Sequence, residues 1–343
     1  MKRFATITVG IALALVIAGL VAYQLFYRQL QVPRGLDDYY VLIPSNTNYN
    51  TLKSQLLSKG IIKDEGVFEV LAQRMNYKKD PVRAGRYEIK AGWNMVDLIR
   101  HLRGGPQAPV NVVLTNERLL EDVAGKVARF IEPDSLDFLA LFQDTGYISE
   151  LGYTSETLMS LFIPNTYEFY WNTTPREFMD RMTQEHDRFW SKNNRLKKAQ
   201  AKGMTPAEVY TLASIVERET LVASEKPRMA GVYLNRLEVG MLLQADPTAV
   251  FATRDFDTPR VTYYHTRFDS PYNTYMYKGL PPGPISMASI GSIDAVLNAE
   301  GHDYVYFCAK GDGSGLHNFA KTLEAHNQNA AIYRENLKKR GLR

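Results

Sequence analysis

The chain has 343 residues, of which 45% are hydrophobic and 23% are charged, and its formal net charge is +4. This length predicts two or three folded domains, and the composition excludes a mainly disordered, collagen-like or many-span membrane protein. The single cysteine, Cys308, excludes a disulfide scaffold and a cysteine-built zinc site. The mild charge does not indicate a nucleic-acid-binding protein.

An apolar segment without any formal charge extends from Phe4 to Phe26. A helix of this length spans a hydrocarbon core of about 30 Å. Lys2 and Arg3 precede it, so the positive-inside rule predicts a cytoplasmic N-terminus and export of the chain beyond the helix. A cleaved signal peptide is the alternative, but the apolar run exceeds the usual signal core of about 7–15 residues. Residues 1–31 are therefore predicted to form a cytoplasmic stub and one transmembrane helix.

Residues 32–106 have the pattern of a small mixed subdomain. A Pro/Gly/Asp linker, Val32–Asp38, comes first, and the apolar spacing then changes between the periods of strands and helices. The predicted order is strand, helix, helix, strand and short helix, over Tyr39–Ile43, Asn50–Ser58, Glu65–Asn76, Arg83–Ile89 and Asn94–Arg103.

A larger domain is predicted over residues 107–343, after a proline-bounded break. Thr205-Pro206-Ala207-Glu208 combines a capping box with proline at the first helical position, so a helix is predicted to begin there. Other predicted elements are the strands Val110–Leu114 and Tyr304–Ala309 and the helices Glu121–Phe130, Asp134–Phe142, Glu177–Lys202, Lys226–Val239, Ser289–Asn298 and Leu323–Lys339. The predicted fold class is α+β.

Motifs for common chemistries are missing from the sequence: it has no nucleophile elbow, phosphate loop, HExxH or dinucleotide fingerprint. We therefore predict neither a metal nor a cofactor. Two carboxylates, Glu217 and Glu219, lie near the end of the helix that begins after Thr205. They fall on opposite flanks of its apolar stripe, about 160° apart, and cannot both point into one cleft. Glu219 lies slightly nearer the stripe, and two solvated side chains remain the alternative.

Polar and aromatic segments rich in proline come after this helix. They are Met241–Thr248, Ser270–Tyr275 and Gly279–Ile285. Proline fixes the backbone there, while Asn, Thr, Tyr and Gln supply neutral hydrogen-bonding groups. Such a rim suits a groove for glycans, and an ordinary structured loop is the alternative.

Several sequence blocks, in this order, resemble the endolytic murein (peptidoglycan) transglycosylases of bacteria. The blocks include Leu212–Thr220, Tyr233–Leu237, Leu243–Thr248 and His317–Phe319, and the resemblance extends from about Tyr39 to Tyr333. It implies a single-span inner-membrane enzyme with a LysM-like subdomain of β-α-α-β order and an exported catalytic domain.

The resemblance also implies the site residues. It places the family's catalytic glutamate on Glu217, the first Glu of its block, and implies a groove lined by Asn235, Gln244, Asp246, Tyr272, Asn273 and Tyr275. Two segments depart from the family pattern. Ser160-Leu161 stands where a Glu-Gly pair is frequent, and Ser286-Met287-Ala288-Ser289 replaces a usual Asn-Pro-Gly.

The implied reaction is cleavage of the MurNAc-β-1,4-GlcNAc bond in nascent glycan strands, which limits strand length during wall synthesis. Partial burial is expected to raise the pKa of Glu217 towards about 6. Glu217 then acts first as acid and later as base, so that the muramyl C6 hydroxyl closes a 1,6-anhydro end. The alternatives are a hydrolytic muramidase that uses Asp246 as second carboxylate and a non-catalytic, membrane-anchored peptidoglycan-binding protein. Peptidoglycan synthases are the expected partners at the membrane.

Overall fold

The computed structural model describes residues 2–27, 30 and 39–342, and the predicted linker Val32–Asp38 lies outside them. The described residues combine helices with three two-stranded sheets, so the predicted α+β fold class is confirmed. The chain divides into two compact units. Unit 1 comprises residues 1–111, 130–132 and 168–174, and unit 2 comprises residues 112–129, 133–167 and 175–343.

The N-terminal helix, α1, covers Lys2–Tyr27. Its segment Ile7–Tyr27 has a mean hydropathy of 2.3 and is not buried inside the protein. This confirms the predicted N-terminal apolar helix. Its length and composition suit a membrane span, and a signal sequence would satisfy the same two criteria.

The small mixed part of unit 1 has the predicted β-α-α-β order and then a helix. Its strands pair antiparallel, with Val41 opposite Tyr87, and both side chains are fully buried. Asn48, Asp64 and Asn94 cap the three helices by accepting hydrogen bonds from backbone N–H groups. The elements are β1 (Tyr39–Ile43), α2 (Tyr49–Ser58), α3 (Glu65–Arg74), β2 (Gly85–Ile89) and α4 (Met95–Gly104).

The remaining elements run from β3 to α15. In chain order they are β3 (Val110–Leu114), α5 (Leu120–Val127), α6 (Ser135–Gln143), α7 (Thr145–Glu150), β4 (Asn165–Phe169), α8 (Pro175–Ser191), α9 (Arg195–Ala201), α10 (Pro206–Glu219), α11 (Lys226–Glu238), α12 (Asp246–Thr253), α13 (Tyr263–Thr266), α14 (Ile290–Leu297), β5 (Tyr306–Ala309), β6 (His317–Ala320) and α15 (Leu323–Lys339). β3 pairs with β4, and β5 pairs with β6.

Helix α10 is the central helix of unit 2. The predicted capping box is present, since the backbone N–H of Thr205 donates to Glu208 at 2.8 Å and its hydroxyl oxygen accepts from the Glu208 N–H at 3.2 Å. Almost every side chain of α10 from Val209 to Val216 is fully buried against α11, α12 and α14. The polar end of this helix, beyond Val216, supplies the candidate site.

Several elements differ from the prediction: α7, β4, α13 and β6 are not predicted, and two further differences concern longer segments. The helix predicted over Glu177–Lys202 is two helices, α8 and α9, because Asn193 and Asn194 adopt left-handed backbone angles with φ of 55° and 56°. Asparagine tolerates this conformation better than other residues with a Cβ atom. In addition, Asp246–Thr253 forms the helix α12, which the sequence analysis does not predict.

Candidate active site

A cleft of about 250 Å³, the main cleft, lies at the C-terminal end of α10. It combines two carboxylates and two guanidinium groups with an apolar and aromatic wall. Its lining residues are Arg118, Arg218, Glu219, Asp246, Pro247, Val250, Phe251, Phe256 and Ile285. The carboxylate that α10 contributes to this lining is thus Glu219.

Glu219 is half-buried and is held by a hydrogen bond from a tyrosine. The hydroxyl of the fully buried Tyr233 donates a hydrogen bond of 2.7 Å to Glu219 Oε1. Burial raises the pKa of Glu219 to about 7, and the nearby charge of Asp246 acts in the same direction. The Tyr233 hydrogen bond and the Arg236 charge oppose this rise. Glu219 is therefore protonated in a large fraction of molecules at neutral pH, which is the state that a general acid needs.

Glu217 has a different environment. Its Oε2 accepts a hydrogen bond of 2.9 Å from Lys226 Nζ and further hydrogen bonds from the hydroxyls of Ser289 and Ser292. Burial pushes the pKa of Glu217 upwards, but these three partners outweigh it and hold the pKa below its usual range. The expected rise of the Glu217 pKa is therefore wrong. An ionised carboxylate with these partners suits an ion pair rather than proton donation.

Asp246 and Tyr275, two of the predicted groove residues, meet at the main cleft. Asp246 is the first residue of α12, and its Oδ1 accepts a hydrogen bond from the Tyr275 hydroxyl. Burial and the neighbouring Asp246 raise the pKa of Tyr275, so that its hydroxyl keeps its proton. Asp246 is thus a fixed, exposed carboxylate in the same cleft as Glu219.

The side-chain amides of the two predicted groove asparagines form hydrogen bonds to backbone carbonyl groups of the protein. Asn235 Nδ2 donates to the carbonyl oxygens of His302 at 2.7 Å and Tyr304 at 2.9 Å. Asn273 is fully buried, and its Nδ2 donates to the backbone of the α13 region. The prediction that these two side chains line the groove therefore needs correction, because both amide donors hold loops in place.

Gln244 and Tyr272, the other two predicted groove residues, are not among the residues that line the main cleft. Gln244 is exposed, with a φ of 48°, and its backbone N–H donates to the Thr274 carbonyl at 3.1 Å. Tyr272 packs on Phe251, with 4.8 Å between the ring centroids. It lines a second cleft of about 200 Å³, the side cleft, which shares Arg118 and Phe251 with the main cleft.

A sequence profile of the YceG-like family matches residues 41–332, which is most of the chain. The chain belongs to the YceG-like family. A Bacillus subtilis (strain 168) protein named endolytic murein transglycosylase is 29% identical over 304 residues, covering 83% of this chain and 82% of that protein. A protein of the same name from Streptococcus pneumoniae serotype 2 (strain D39) is 28% identical over 319 residues, or 84% of this chain and 57% of its own length.

A solved structure agrees with this assignment. The 2.6 Å crystal structure of a putative YceG-like protein from Listeria monocytogenes has a TM-score of 0.57 and 26% sequence identity. The match covers 85% of this chain and 98% of that one. The resemblance inferred from the motif blocks is thereby confirmed.

Sequence reasoning missed several residues of the site in this YceG-like chain. Arg218 is not among the predicted site residues, yet it lines the main cleft. Its Nε donates to Ser286 Oγ at 3.2 Å, and its Nη2 donates to the Asn116 carbonyl at 3.3 Å. Ser286 and Ser289, two residues of the second segment that departs from the family pattern, therefore contact Arg218 and Glu217, respectively. Arg118 and Phe256 carry no local signal in the sequence.

The described part of this YceG-like chain contains no group of three or more His, Cys, Asp or Glu side chains placed to hold a metal ion. The functional groups of the main cleft are two carboxylic acids and two guanidinium groups. The hydroxyl groups of Tyr233 and Tyr275 donate hydrogen bonds to the two acids.

Proposed function

We propose that this chain is an endolytic lytic transglycosylase of peptidoglycan that cleaves the MurNAc-β-1,4-GlcNAc bond, with Glu219 as its acid and base. Two relatives matched over most of the chain are named endolytic murein transglycosylase. The observation that carries the catalytic assignment is the position of Glu219 in the main cleft with a pKa of about 7. This proposal replaces Glu217 as the acid.

The first step is protonation of the glycosidic oxygen by the neutral Glu219 carboxyl. A general acid with a pKa near the working pH is both protonated and able to give up its proton. Cleavage leaves positive charge on the muramyl C1, and the Asp246 side chain in the same cleft stabilises that charge.

The second step uses the same side chain as a base. The Glu219 carboxylate takes the proton from the muramyl C6 hydroxyl, whose oxygen bonds to C1 and leaves a 1,6-anhydro end. An internal hydroxyl reacts at high effective molarity, so no water is needed. The Tyr233 hydroxyl stabilises the carboxylate between the two steps, since its hydrogen bond favours the ionised form.

A hydrolytic muramidase is the second candidate, and the presence of Asp246 in the main cleft favours it. In that reaction Asp246 activates a water molecule or attacks C1, as the second carboxylate of a glycoside hydrolase does. Glu219 keeps the role of the acid. The two reactions differ in their product ends.

We expect the products of the full-length protein to carry 1,6-anhydro ends, each lighter by one water molecule than a reducing end. Asp246→Asn should slow cleavage without changing these ends, because the carboxylate only stabilises charge. Mass spectrometry of digested glycan strands measures both. Reducing ends from the wild type, with no cleavage by Asp246→Asn, would instead assign the muramidase reaction.

The anchor and the small mixed subdomain extend the proposal. Helix α1 would hold the enzyme in the cytoplasmic membrane, with the chain beyond this helix on the outer side, where synthases release new strands. The β1–α4 part of unit 1 would act as a LysM-like subdomain. Cleavage of new strands on the outer side of the membrane would limit their length. A peptidoglycan-binding protein without activity would leave the strands intact.

A further inference from the structure

Arg118 lies where the two clefts meet, since it lines both the main cleft and the side cleft. Its guanidinium group lies 4.4 Å from the centroid of the Phe256 ring and is half-buried. Within the described parts of the chain, no acidic side chain lies within ion-pair distance of Arg118. A half-buried cation that faces a cleft without an anionic partner is a candidate for binding a ligand anion.

The charges of the main cleft are unequal when the proposed reaction begins. Arg218 is the second cation, and its two hydrogen bonds go to neutral oxygen atoms of Ser286 and Asn116. Burial lowers the pKa of Arg218, and repulsion from Arg118 lowers it further. With Glu219 protonated, two guanidinium groups face the single carboxylate of Asp246. The main cleft therefore carries a net positive charge in this state, which an anionic group of a ligand would neutralise.

The side cleft offers space for a substituent beyond Arg118. Its volume is about 200 Å³, and its wall includes the apolar side chains of Leu139, Phe142 and Met159. Its charged lining is mixed, because two arginines face two glutamates, namely Arg118, Arg254, Glu121 and Glu156. Arg254 and Glu121 are 4.0 Å apart, which is the limit of an ion pair. A mixed lining suits a ligand that carries both carboxylate and ammonium groups.

We propose that Arg118 binds a carboxylate on the lactyl substituent of a muramyl residue in the main cleft, and that the side cleft takes the rest of this substituent. The inference rests on the proposed function and adds a substrate class to it, namely strands whose lactyl substituents end in a carboxylate. In strands that carry peptides the free carboxylates belong to the peptide, which also carries amines, because the lactyl carboxyl forms the amide bond to that peptide. In strands without peptides, the lactyl group itself ends in a carboxylate, so that both sources share one chemistry.

The test compares three substrates for the full-length protein in detergent. They are glycan strands with their peptides, strands stripped by an amidase so that the lactyl carboxylate is free, and stripped strands whose lactyl carboxylate has been converted to a neutral amide. We expect kcat/KM to be about 10- to 100-fold higher for the anionic strand that Arg118 recognises than for the neutral strand, as for one charge-assisted hydrogen bond. Preference for the first substrate over the second assigns the peptide carboxylate, and preference for the second over the first assigns the lactyl carboxylate. Equal rates for these two, above that of the neutral strand, show that Arg118 accepts either carboxylate.

Arg118→Gln should reduce this preference by about tenfold or more. Arg260→Gln is the matched control, because Arg260 is exposed and its substitution removes the same charge outside both clefts, and it should keep the preference. Arg118→Lys retains the charge and should keep part of the preference. This variant replaces Arg118→Gln in the test if the glutamine variant does not fold. A preference unchanged in Arg118→Gln, or equal cleavage of all three strands by the wild type, overturns the inference while leaving the proposed function intact. Cleavage of none of them by the wild type refutes the proposed function itself.

Discussion

Glu219→Gln is expected to reduce the rate of strand cleavage about 10²- to 10⁴-fold, the usual contribution of a general acid or base. Glutamine has the shape of protonated glutamate and can still accept the hydrogen bond from the Tyr233 hydroxyl. It cannot donate a proton to the glycosidic oxygen or take one from the C6 hydroxyl. The loss should therefore appear in kcat, measured as released strand ends per unit time, with the melting temperature retained.

Glu217→Gln is the matched control, because it is the same substitution two residues away on α10. We expect it to keep cleavage within about tenfold of the wild type when assayed below its melting transition, since Glu217 does not act on the substrate in this mechanism. If Glu217→Gln abolishes cleavage and Glu219→Gln does not, Glu217 is the acid, as the family motif implies.

The second large effect concerns stability. Here Glu217→Gln is the variant that we expect to be impaired, whereas Glu219→Gln retains its melting temperature. Glu217 and Lys226 form an ion pair of 2.9 Å in which the side chains are only 20% and 11% exposed. Glu217→Gln leaves the Lys226 ammonium without its countercharge, at a cost of about 2–3 kcal/mol for a partly buried pair. For a unit of this size, the melting temperature should fall by about 5–10 °C at pH 7.

The exposed ion pair between Lys339 and Glu335, with side chains 68% and 63% exposed, supplies the control. Glu335→Gln should change the melting temperature little, because solvent screens such pairs. The pH dependence adds a check on sign. The folded state lowers the pKa of Glu217, so its stabilisation is present above the usual glutamate pKa and is lost as the pH falls through the lowered value. Equal melting temperatures of wild type and Glu217→Gln at pH 7 would contradict the ion pair.

Patterns within short sequence segments were sufficient to predict many of the helices and strands. The capping box at Thr205 predicts the start of α10, a β-like run ended by Pro44 predicts β1, and alternating residues predict β2. The break between α8 and α9 was missed because a polar helix and a polar kink have the same composition around Asn193 and Asn194. Helix α12 was missed although Asp246-Pro247 is an ordinary helix start, because the composition of the segment also suits a polar rim.

The candidate site was only partly predictable from the sequence. Helical periodicity separates Glu217 from Glu219 and places Glu219 nearer the apolar stripe, but the resemblance selects Glu217. What distinguishes the two carboxylates is the set of distant partners around each. Ser289 and Ser292 lie 72 and 75 residues beyond Glu217, and no pattern within α10 reports their contact. The pKa of a side chain depends on such tertiary neighbours.

The most direct test of the central claim is a titration of the Glu219 carboxyl group. Infrared difference spectra of the wild type against Glu219→Gln, recorded across a pH series, isolate the carbonyl stretch of this one side chain. We expect a protonated carboxyl in mildly acidic solution that ionises with a pKa of about 7. A Glu219 that is ionised down to about pH 4, the usual range of glutamate, would contradict its role as the acid.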